Sequence, residues 1–447
     1  MYLIYTILFA LGLLLFLPHF LYQALRHGKY VTGLAQRFGS APGVAASRPV
    51  VWLHCVSVGE VIAARPFARE LLRQHSAHEL IVSTTTVTGQ TIASEIFGDL
   101  ASHIFYFPLD FKWTMRRALD RLRPSAVILM ETEIWPQLIR ECARRQIPVA
   151  IINGRISPTS FKRYRTVRSF FARVLRQVSL ASMQTEADAE RLRQLGAAKS
   201  AVRVSGNIKF DAEPPTTSAL ELNADFRRRF NLSGGAGDRP LIIAASTHHP
   251  EEKIILDAFR LTGERNDDRK PRLLIAPRHP ERFAEVARQI GDDGFTFARR
   301  SAAPAKDDAT ADVILLDSVG ELRALYPLSP IVFVGGSIAE KGGHNILEPA
   351  AEGCSIITGA HTANFASIVK MFLAAEALIQ LPPAATAPQL AACFSKLLGN
   401  EELRAGYGER GRELIALHRG ASRRTLELLG PLLDEKALPA NEAARRQ

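Results

Sequence analysis

The chain has 447 residues and a formal net charge of +11 at pH 7. Its length exceeds what one hydrophobic core usually supports, so two domains are expected. A positive excess can serve nucleic acid, anionic lipid or a phosphorylated substrate, but the absence of a zinc finger, an aromatic RNA-binding strand and a long basic helix argues against nucleic acid.

The N-terminal segment is the first predicted element, because residues 2–17 are almost wholly apolar and only Thr6 interrupts them before Pro18. The run is marginal for a helix that must span a bilayer with about 20 apolar residues. A signal peptide is disfavoured, since there is no basic segment before the run and no small-residue cleavage site after it. Basic residues follow and no acidic residue occurs before Glu60, so the positive-inside rule places the body in the cytoplasm. The pattern predicts a membrane anchor over residues 1–25 and a basic neck over 26–48, and it leaves open whether the anchor spans the bilayer or lies in one leaflet.

Short apolar strands then alternate with longer helical patterns, which is typical of parallel sheets with crossover helices. The first series predicts a Rossmann-like domain over residues 49–211, with strands at 50–55, 80–84, 103–107, 126–130, 149–152, 180–183 and 202–204. A polar segment with prolines and a glycine cluster predicts a linker over 212–239. The second series predicts another Rossmann-like domain over 240–433, with strands at 241–245, 273–276, 313–316, 331–334 and 355–358, before a polar tail over 434–447.

Ligands of such sheets bind beyond the carboxyl ends of the strands, so polar residues directly after strands are the main site candidates. Glu60 follows the first strand, where it could accept a proton from an attacking hydroxyl, although its spacing from Ser57 also fits a helix-capping box. Glu131 follows the fourth strand, and helix-start electrostatics is the alternative reading for it. Lys209 lies at the end of the first domain, where a cation could stabilise a departing phosphate.

In the second domain, Arg278 lies between two prolines that stiffen its loop, and its planar guanidinium suits phosphate. His248 and His279 also follow strands, and His279 is the weaker candidate, because a lone histidine is more often structural. The segment from Val319 through Gly320 to Glu321 reads equally well as a helix cap or as backbone amides that bind a nucleotide.

The most informative stretch joins the apolar strand at 331–334 to two glycine pairs and then to Asn345 and Glu348, three residues apart. This layout suits a nucleotide phosphate at the glycine-rich backbone and a ribose at the two polar side chains, whereas a plain tight turn is the alternative. A second glycine pattern at 406–411 matches the dinucleotide spacing, but it follows a charged helical stretch rather than a strand and is discounted.

No metal or other cofactor is required by any visible pattern. The sequence has no D-x-D pair after a strand and no His/Cys cluster. Its four cysteines lie far apart without metal-ligand spacing, which fits buried thiols in a reducing compartment, and they are Cys55, Cys142, Cys354 and Cys393.

Taken together, these motifs resemble the Kdo (3-deoxy-D-manno-octulosonic acid) transferases of lipopolysaccharide synthesis, in order along nearly the whole chain. The residues that carry the resemblance are the apolar start, S-V-G-E, M-E-T-E-I-W-P, G-N-I-K-F-D, A-P-R-H-P-E-R and G-G-S-I-A-E-K-G-G-H-N-I-L-E-P. The resemblance implies a GT-B fold, in which two Rossmann-like domains face across a cleft behind an N-terminal membrane anchor. It implies an inverting transfer of Kdo from CMP-Kdo to the lipid A precursor lipid IVA, on the cytoplasmic face of the inner membrane and in contact with its lipids, without a metal.

The same resemblance assigns roles to individual residues. The catalytic base falls on Glu60, and the transition-state stabilisers fall on Glu131 and Lys209. The contacts to CMP fall on Pro277, Arg278, Val319, Gly320, Glu321, Asn345, Ile346, Leu347 and Glu348.

Two other functions remain open at this point. A GT-B transferase that uses a UDP-sugar would share the fold and the phosphate-binding features. A membrane-tethered nucleotide-binding protein without catalysis would use Glu60 only as a helix cap.

Overall fold

The structure, a computed structural model, describes residues 1–27, 32–44, 48–211, 217–232, 239–265 and 270–434. The chain forms two compact units: unit 1 comprises Met1–Asp211 with His418–Gln447, and unit 2 comprises Ala212–Leu417. Parts of the predicted basic neck, the proline and glycine clusters of the predicted linker, and residues 435–447 of the predicted tail lie outside the described residues.

Unit 1 is built on a seven-stranded sheet in which every neighbouring pair is parallel. Its central strands are mostly apolar and buried along their whole length, as expected for a parallel sheet that is covered on both faces. The strand order is β3-β2-β1-β4-β5-β6-β7, and the strands are β1 Val50–His54, β2 Glu79–Thr84, β3 His103–Tyr106, β4 Ala126–Met130, β5 Val149–Gly154, β6 Leu180–Met183 and β7 Val202–Val204.

Helices connect these strands, and several begin where a Ser or Thr hydroxyl accepts a hydrogen bond from a backbone N–H of the first turn. The helices are α1 Tyr2–His27, α2 Leu34–Arg37, α3 Val58–Gln74, α4 Val87–Phe97, α5 Lys112–Leu122, α6 Pro136–Arg144, α7 Pro158–Thr166, α8 Arg168–Leu175 and α9 Glu186–Gln194.

Helix α1 packs along the surface of unit 1 through the residues of its first turns. The Tyr5 hydroxyl donates to the buried Asp110 at 2.9 Å, and the Gln137 amide donates to the Thr6 hydroxyl at 2.8 Å. The Phe9 ring meets Phe111 edge to face. Within the part of the chain that is described, no helix is both long and apolar enough to cross a bilayer.

Unit 2 contains a second seven-stranded sheet, again parallel throughout. Its order is β10-β11-β9-β8-β12-β13-β14, and its strands are β8 Leu241–Thr247, β9 Arg272–Pro277, β10 Phe297–Arg299, β11 Val313–Leu315, β12 Ile331–Val334, β13 Ser355–Thr358 and β14 Leu378–Gln380. The predicted strands are all present, with ends that move by two residues at most, whereas the short edge strands β10 and β14 were not predicted.

The helices of unit 2 include one that the sequence interpretation placed in a linker. Residues 217–229 form a helix whose Phe226 and the following Phe230 are buried, so this segment belongs to the domain. The helices are α10 Thr217–Arg229, α11 Glu251–Arg265, α12 Phe283–Asp292, α13 Leu322–Leu325, α14 Leu347–Ala351, α15 Ala366–Ala374, α16 Ala387–Gly399 and α17 Glu401–His418. The discounted glycine pattern at 406–411 lies inside α17.

The last helix, α18 (Ala421–Asp434), belongs to unit 1 and not to the second domain, where the predicted boundary at 433 had placed it. Its Leu426, Leu429 and Leu433 are buried in the same core as α3. The Asp211 carboxylate accepts backbone N–H groups of Gly420 and Ser422, which fixes the start of α18 beside the end of the first strand series.

Both sheets have a point where the strand order reverses. In unit 1 this point lies between β1 and β4, and in unit 2 it lies between β8 and β12. The loops that leave neighbouring strands in opposite directions open a crevice there, which is where ligands of such sheets bind.

Candidate functional site

Glu60 and Glu131 follow the two strands that flank the reversal point of unit 1. Glu60 lies in the first turn of α3 after β1, and Glu131 is the residue directly after β4. The topology therefore brings together two carboxyl groups that are 71 positions apart in the chain, as the numbering shows. Their negative charges act on each other, and that of Glu131 contributes to a raised pKa of Glu60.

Glu60 is 6% exposed, and its carboxyl group accepts hydrogen bonds at 2.8 Å from the Val56 backbone N–H and from the Ser57 hydroxyl. The Ser57 oxygen in turn accepts the Glu60 backbone N–H, so the capping contact expected from the sequence is present. Burial raises the pKa of Glu60 to about 7, and the hydrogen bonds only partly oppose this effect. A carboxyl group with a pKa near neutrality is well suited to accept a proton in a reaction.

Glu131 lies between two cations. One of its carboxylate oxygens is 3.2 Å from the Lys209 Nζ, and the other accepts the Arg155 Nε–H at 3.1 Å. Its backbone has a φ of +53°, a left-handed conformation that is uncommon for a residue with a side chain. No sequence pattern indicates Arg155, which lies 24 residues after Glu131 in the chain.

The position of Lys209 is fixed by hydrogen bonds to the backbone around it, and the residue is not part of an α-helix. It lies in a short 3-10 turn, Ile208–Phe210, in which the Asn207 side chain accepts the Lys209 N–H. The buried Asn153 at the end of β5 accepts the Ile208 N–H at 3.1 Å, so the turn is fixed to the sheet. The structure thus brings the three predicted catalytic residues of unit 1 into one cluster.

In unit 2, β9 ends at Pro277, and Arg278 follows it as an exposed residue. The Arg278 backbone N–H donates to the Thr247 carbonyl at 3.0 Å, which joins the start of the loop after β9 to the end of β8. Among the described residues, nothing pairs with the Arg278 guanidinium by a hydrogen bond or an ion pair. All its donors therefore remain available for an anionic ligand.

The segment Val319 to Glu321 offers its backbone more than its side chains. Val319 is 77% exposed, and Gly320 adopts a φ of +87°. The Glu321 carboxylate accepts hydrogen bonds from the Arg300 guanidinium at 3.0 Å and from the Ser318 hydroxyl at 2.5 Å. A nucleotide would therefore meet the main chain here.

Asn345 and Glu348 lie close together, but the helix between them is shorter than expected. Helix α14 begins only at Leu347, and the Asn345 side chain caps it by accepting the Leu347 N–H. The Asn345 amide donates to Glu348 at 3.1 Å, and burial raises the pKa of Glu348. The side chain of Ile346, by contrast, is buried in the protein.

The first part of the glycine-rich loop after β12 has its amides occupied within the protein. The fully buried carboxylate of Glu251 accepts the backbone N–H groups of Gly336, Ser337, Ile338 and Ala339. Because an internal carboxylate accepts these N–H groups, the amides of residues 336–339 are not available to the phosphate that was expected at the glycine-rich backbone. The loop instead positions the residues that follow it.

Among the described residues, no group of three or more His, Cys, Asp and Glu side chains is arranged to hold a metal ion. Cys55, Cys142 and Cys354 are buried free thiols, and Cys393 is partly buried. Burial raises the pKa of the Cys55 thiol well above its usual value, so this thiol is protonated and unreactive.

Comparison with known proteins shows what the chain is similar to. Residues 32–212 match the family model described as 3-deoxy-D-manno-octulosonic-acid transferase (kdotransferase). The chain is 37% identical over 407 residues to a 3-deoxy-D-manno-octulosonic acid transferase of Haemophilus influenzae, covering 91% of this chain and 92% of that protein. It is 34% identical to the enzyme of the same name from Bordetella pertussis over 88% of this chain and 90% of the relative.

Two solved structures show the fold. The match to a UDP-GlcNAc 2-epimerase from Neisseria meningitidis covers 86% of this chain and 100% of the epimerase chain, with a TM-score of 0.56 and 14% sequence identity. A glycosyltransferase from Rickettsia africae covers 86% of the chain and 99% of its own, with a TM-score of 0.52 and 13% identity. At these identities the match shows a shared two-domain fold of the GT-B type.

Proposed function

Because the chain belongs to the family of 3-deoxy-D-manno-octulosonic acid transferases, we propose that it transfers Kdo from CMP-Kdo to lipid IVA, the lipid A precursor. The family assignment rests on 37% identity over 91% of the chain, and it makes the protein a glycosyltransferase of lipopolysaccharide synthesis. The transfer inverts the anomeric carbon, since one base-assisted displacement replaces the nucleotide by the acceptor hydroxyl.

The observation that carries this mechanism is the environment of Glu60. Its buried carboxyl group has a pKa of about 7 and lies at the reversal point of the unit 1 sheet. Glu60 accepts the proton of a primary hydroxyl on a glucosamine of the acceptor, and the resulting oxygen nucleophile attacks the anomeric carbon of Kdo. As the new bond forms, the bond between the anomeric carbon and the phosphate oxygen of CMP breaks, and CMP leaves with the electron pair.

Lys209 and Glu131 stabilise the charge that develops during this displacement. Lys209 supplies a positive charge, and Glu131 holds its ammonium group at 3.2 Å while Arg155 balances the second carboxylate oxygen. In unit 2, CMP is bound by Pro277, Arg278, the backbone of Val319 to Glu321 and the segment Asn345 to Glu348. The Arg278 guanidinium, which has no side-chain partner among the described residues, supports a phosphate ligand. The hydrogen-bonded Asn345 and Glu348 side chains support a ribose.

The substitution Glu60→Gln tests this assignment, because it retains the shape of the side chain and removes the base. We expect the purified variant to lose at least about a hundredfold in kcat, in line with the usual contribution of general base catalysis. Glu70→Gln is the matched control, since Glu70 lies on the same helix and contacts only the exposed Arg73 and Gln74 side chains. Near wild-type turnover by Glu60→Gln would show that another group accepts the proton.

The protein acts at the cytoplasmic face of the inner membrane, in contact with its lipids, because its acceptor is lipid-linked. Helix α1 supports this proposal, since one side of its first turns packs on unit 1 while other apolar side chains face outward. Leu8 is 63% exposed and Leu15 is 78% exposed. An apolar helix surface of this kind associates with a bilayer by lying in its interfacial region.

A further inference from the structure

Two histidines lie close together at the reversal point of the unit 2 sheet. They are not among the predicted contacts to CMP. His248 follows β8, His344 lies in the loop after β12, and these two strands flank the crevice. The His248 Nε2 and the His344 Nε2 are 2.8 Å apart. The ring planes differ by 4° and the centroids are 5.1 Å apart, so the two imidazoles lie edge to edge in nearly one plane.

The backbone around the pair is arranged to permit this contact. Gly336 has a φ of +67°, and a Cβ atom at this position would lie 2.8 Å from the His344 ring. The Glu251 carboxylate accepts the His248 N–H as well as the N–H groups of the loop after β12. One buried acid therefore fixes both loops that carry the imidazoles.

The contact between the rings determines which hydrogens the pair can present. One Nε2 carries the hydrogen that the other Nε2 accepts, so in the neutral pair one Nδ1 is a donor and the other is an acceptor. Neither Nδ1 has a hydrogen-bond partner among the described residues, and neither is a fully buried atom. The pair thus has one N–H that lacks a partner among the described residues and lies on an atom that is not fully buried.

The surroundings of the pair are positively charged. Arg278 and His279 follow the neighbouring strand β9, and Lys341 lies in the loop after β12, whereas Glu252 on α11 is the acidic group that acts on His248. Burial, together with the positive neighbours, lowers the pKa of both imidazoles to about 4. Because both pKa values lie near 4, the pair is neutral at neutral pH and has a single Nδ1 donor. A bound anion would offset the positive charge of the neighbouring side chains.

We propose that the His248–His344 pair binds the phosphate of the sugar nucleotide, with an Nδ1–H donating to a phosphate oxygen beside the Arg278 guanidinium. This inference rests on the proposed use of CMP-Kdo. It adds two residues to the binding site for the sugar nucleotide. It also assigns a function to the glycine-rich loop after β12, which is to place His344 next to His248.

Calorimetric titration of the full-length protein with CMP and with cytidine tests the proposal. The variants are His248→Gln and His344→Gln, because a glutamine amide reaches the position of Nε2 but has no group at the position of Nδ1. The hydrogen bond runs to a charged group, so we expect the variant that removes the donor to weaken CMP binding about tenfold or more, with cytidine binding unchanged. His249→Gln makes the same change at an exposed neighbour and should bind CMP as the wild type does.

Three results would overturn the assignment. The first is wild-type affinity for CMP in both variants, and the second is an equal loss of affinity for CMP and for cytidine. The third is a loss of affinity for intact CMP-Kdo but not for CMP, which would place the sugar carboxylate at the pair. A wild-type protein that binds neither CMP nor CMP-Kdo would instead contradict the proposed function itself.

A measurement without substitutions covers the case in which the variants do not fold. In wild-type protein labelled with ¹⁵N-histidine, CMP should shift the Nδ1 resonances of two imidazoles, and cytidine should not. Unchanged Nδ1 resonances with saturating CMP would overturn the proposal.

Discussion

At the scale of single residues, the main feature is a buried carboxyl group at the reversal point of the unit 1 sheet, whose pKa lies close to 7. Glu60 is buried against the negative charges of Glu131 and Glu133, and its pKa rises to about 7. Glu131 does not share this environment, since Lys209 and Arg155 each contact one of its oxygens. Two carboxyl groups in one cluster thus have different environments, which fit the proposed roles of Glu60 as proton acceptor and of Glu131 as the group that holds the cations.

The first prediction concerns the pH dependence of the reaction. Glu60 must be ionised to accept a proton, and its pKa is about 7, so kcat/KM should rise with pH and level off above this value. Initial rates between pH 5 and 9 at low donor concentration would measure this acidic limb. An acidic limb centred near pH 4.5, the usual value for a glutamate, would contradict the assigned environment.

The second prediction concerns stability. The folded protein binds the Glu60 proton more tightly than the unfolded chain does, because the pKa rises from 4.5 to about 7 on folding. The stabilising effect of this proton is complete below pH 4.5 and is lost as the pH rises through 7.

Glu60→Gln has no charge to bury, so we expect it to exceed the wild type in stability by about 3 kcal/mol at pH 8 and to match it at pH 4. The glutamine amide can still accept the Val56 N–H and donate to the Ser57 hydroxyl. Thermal unfolding at the two pH values measures the difference, and a variant that is less stable than the wild type at pH 8 would contradict the prediction.

At the scale of elements, the loop after β12 depends on one internal acid. The Glu251 carboxylate accepts five backbone N–H groups, from His248, Gly336, Ser337, Ile338 and Ala339. Glu251→Ala leaves these donors without an acceptor in the interior, so we expect the free energy of unfolding to fall by about 3 kcal/mol or more. Chemical denaturation measures this, with Glu281→Ala as the control at an exposed acid. An equal effect of both substitutions would show that the loop is held by other contacts.

Helix α1 has a packed side and an exposed side, which can be altered separately. The double variant Leu8→Glu/Leu15→Glu places charges on the exposed side, and we expect it to lose binding to vesicles that contain anionic lipid while its melting temperature stays unchanged. Tyr5→Phe is the matched change on the packed side, where it removes the hydrogen bond to Asp110, and it should bind vesicles as the wild type does. Sedimentation with vesicles gives both results. Undiminished binding by the double variant would assign membrane association to another surface.

The sequence predicted most of the strands because buried parallel strands are continuous apolar runs of distinctive length. It missed β10 and β14, which are edge strands of three residues each and carry too little pattern to be recognised. It also treated α10 as part of a linker, since the prolines and glycines around this helix resemble linker composition.

Site candidates could be recognised from the sequence where they lie close behind a strand. Glu131 and Arg278 directly follow β4 and β9, and Glu60 lies in the first helical turn after β1. It was not predictable where the partner is distant in the chain. Arg155 contacts Glu131, and Glu251 occupies the amides after β12, only because the sheet order brings these segments together. The left-handed backbone of Glu131 is likewise a tertiary feature with no sequence pattern of its own.

At the scale of the whole molecule, the two units divide the chemistry. Unit 1 holds the candidate base and the cations near it, and unit 2 holds the exposed Arg278 and the His248–His344 pair. Helix α18 returns the end of the chain to unit 1, so two connections link the units, one at residues 211–212 and one at 417–418.

Mass spectrometry of the product that the purified full-length protein makes from lipid IVA and CMP-Kdo tests the proposed transfer most directly. We expect lipid IVA extended by Kdo, with release of CMP, in the wild type and in Glu70→Gln but not in Glu60→Gln. Unmodified lipid IVA with CMP-Kdo, together with transfer from a UDP-sugar, would contradict it.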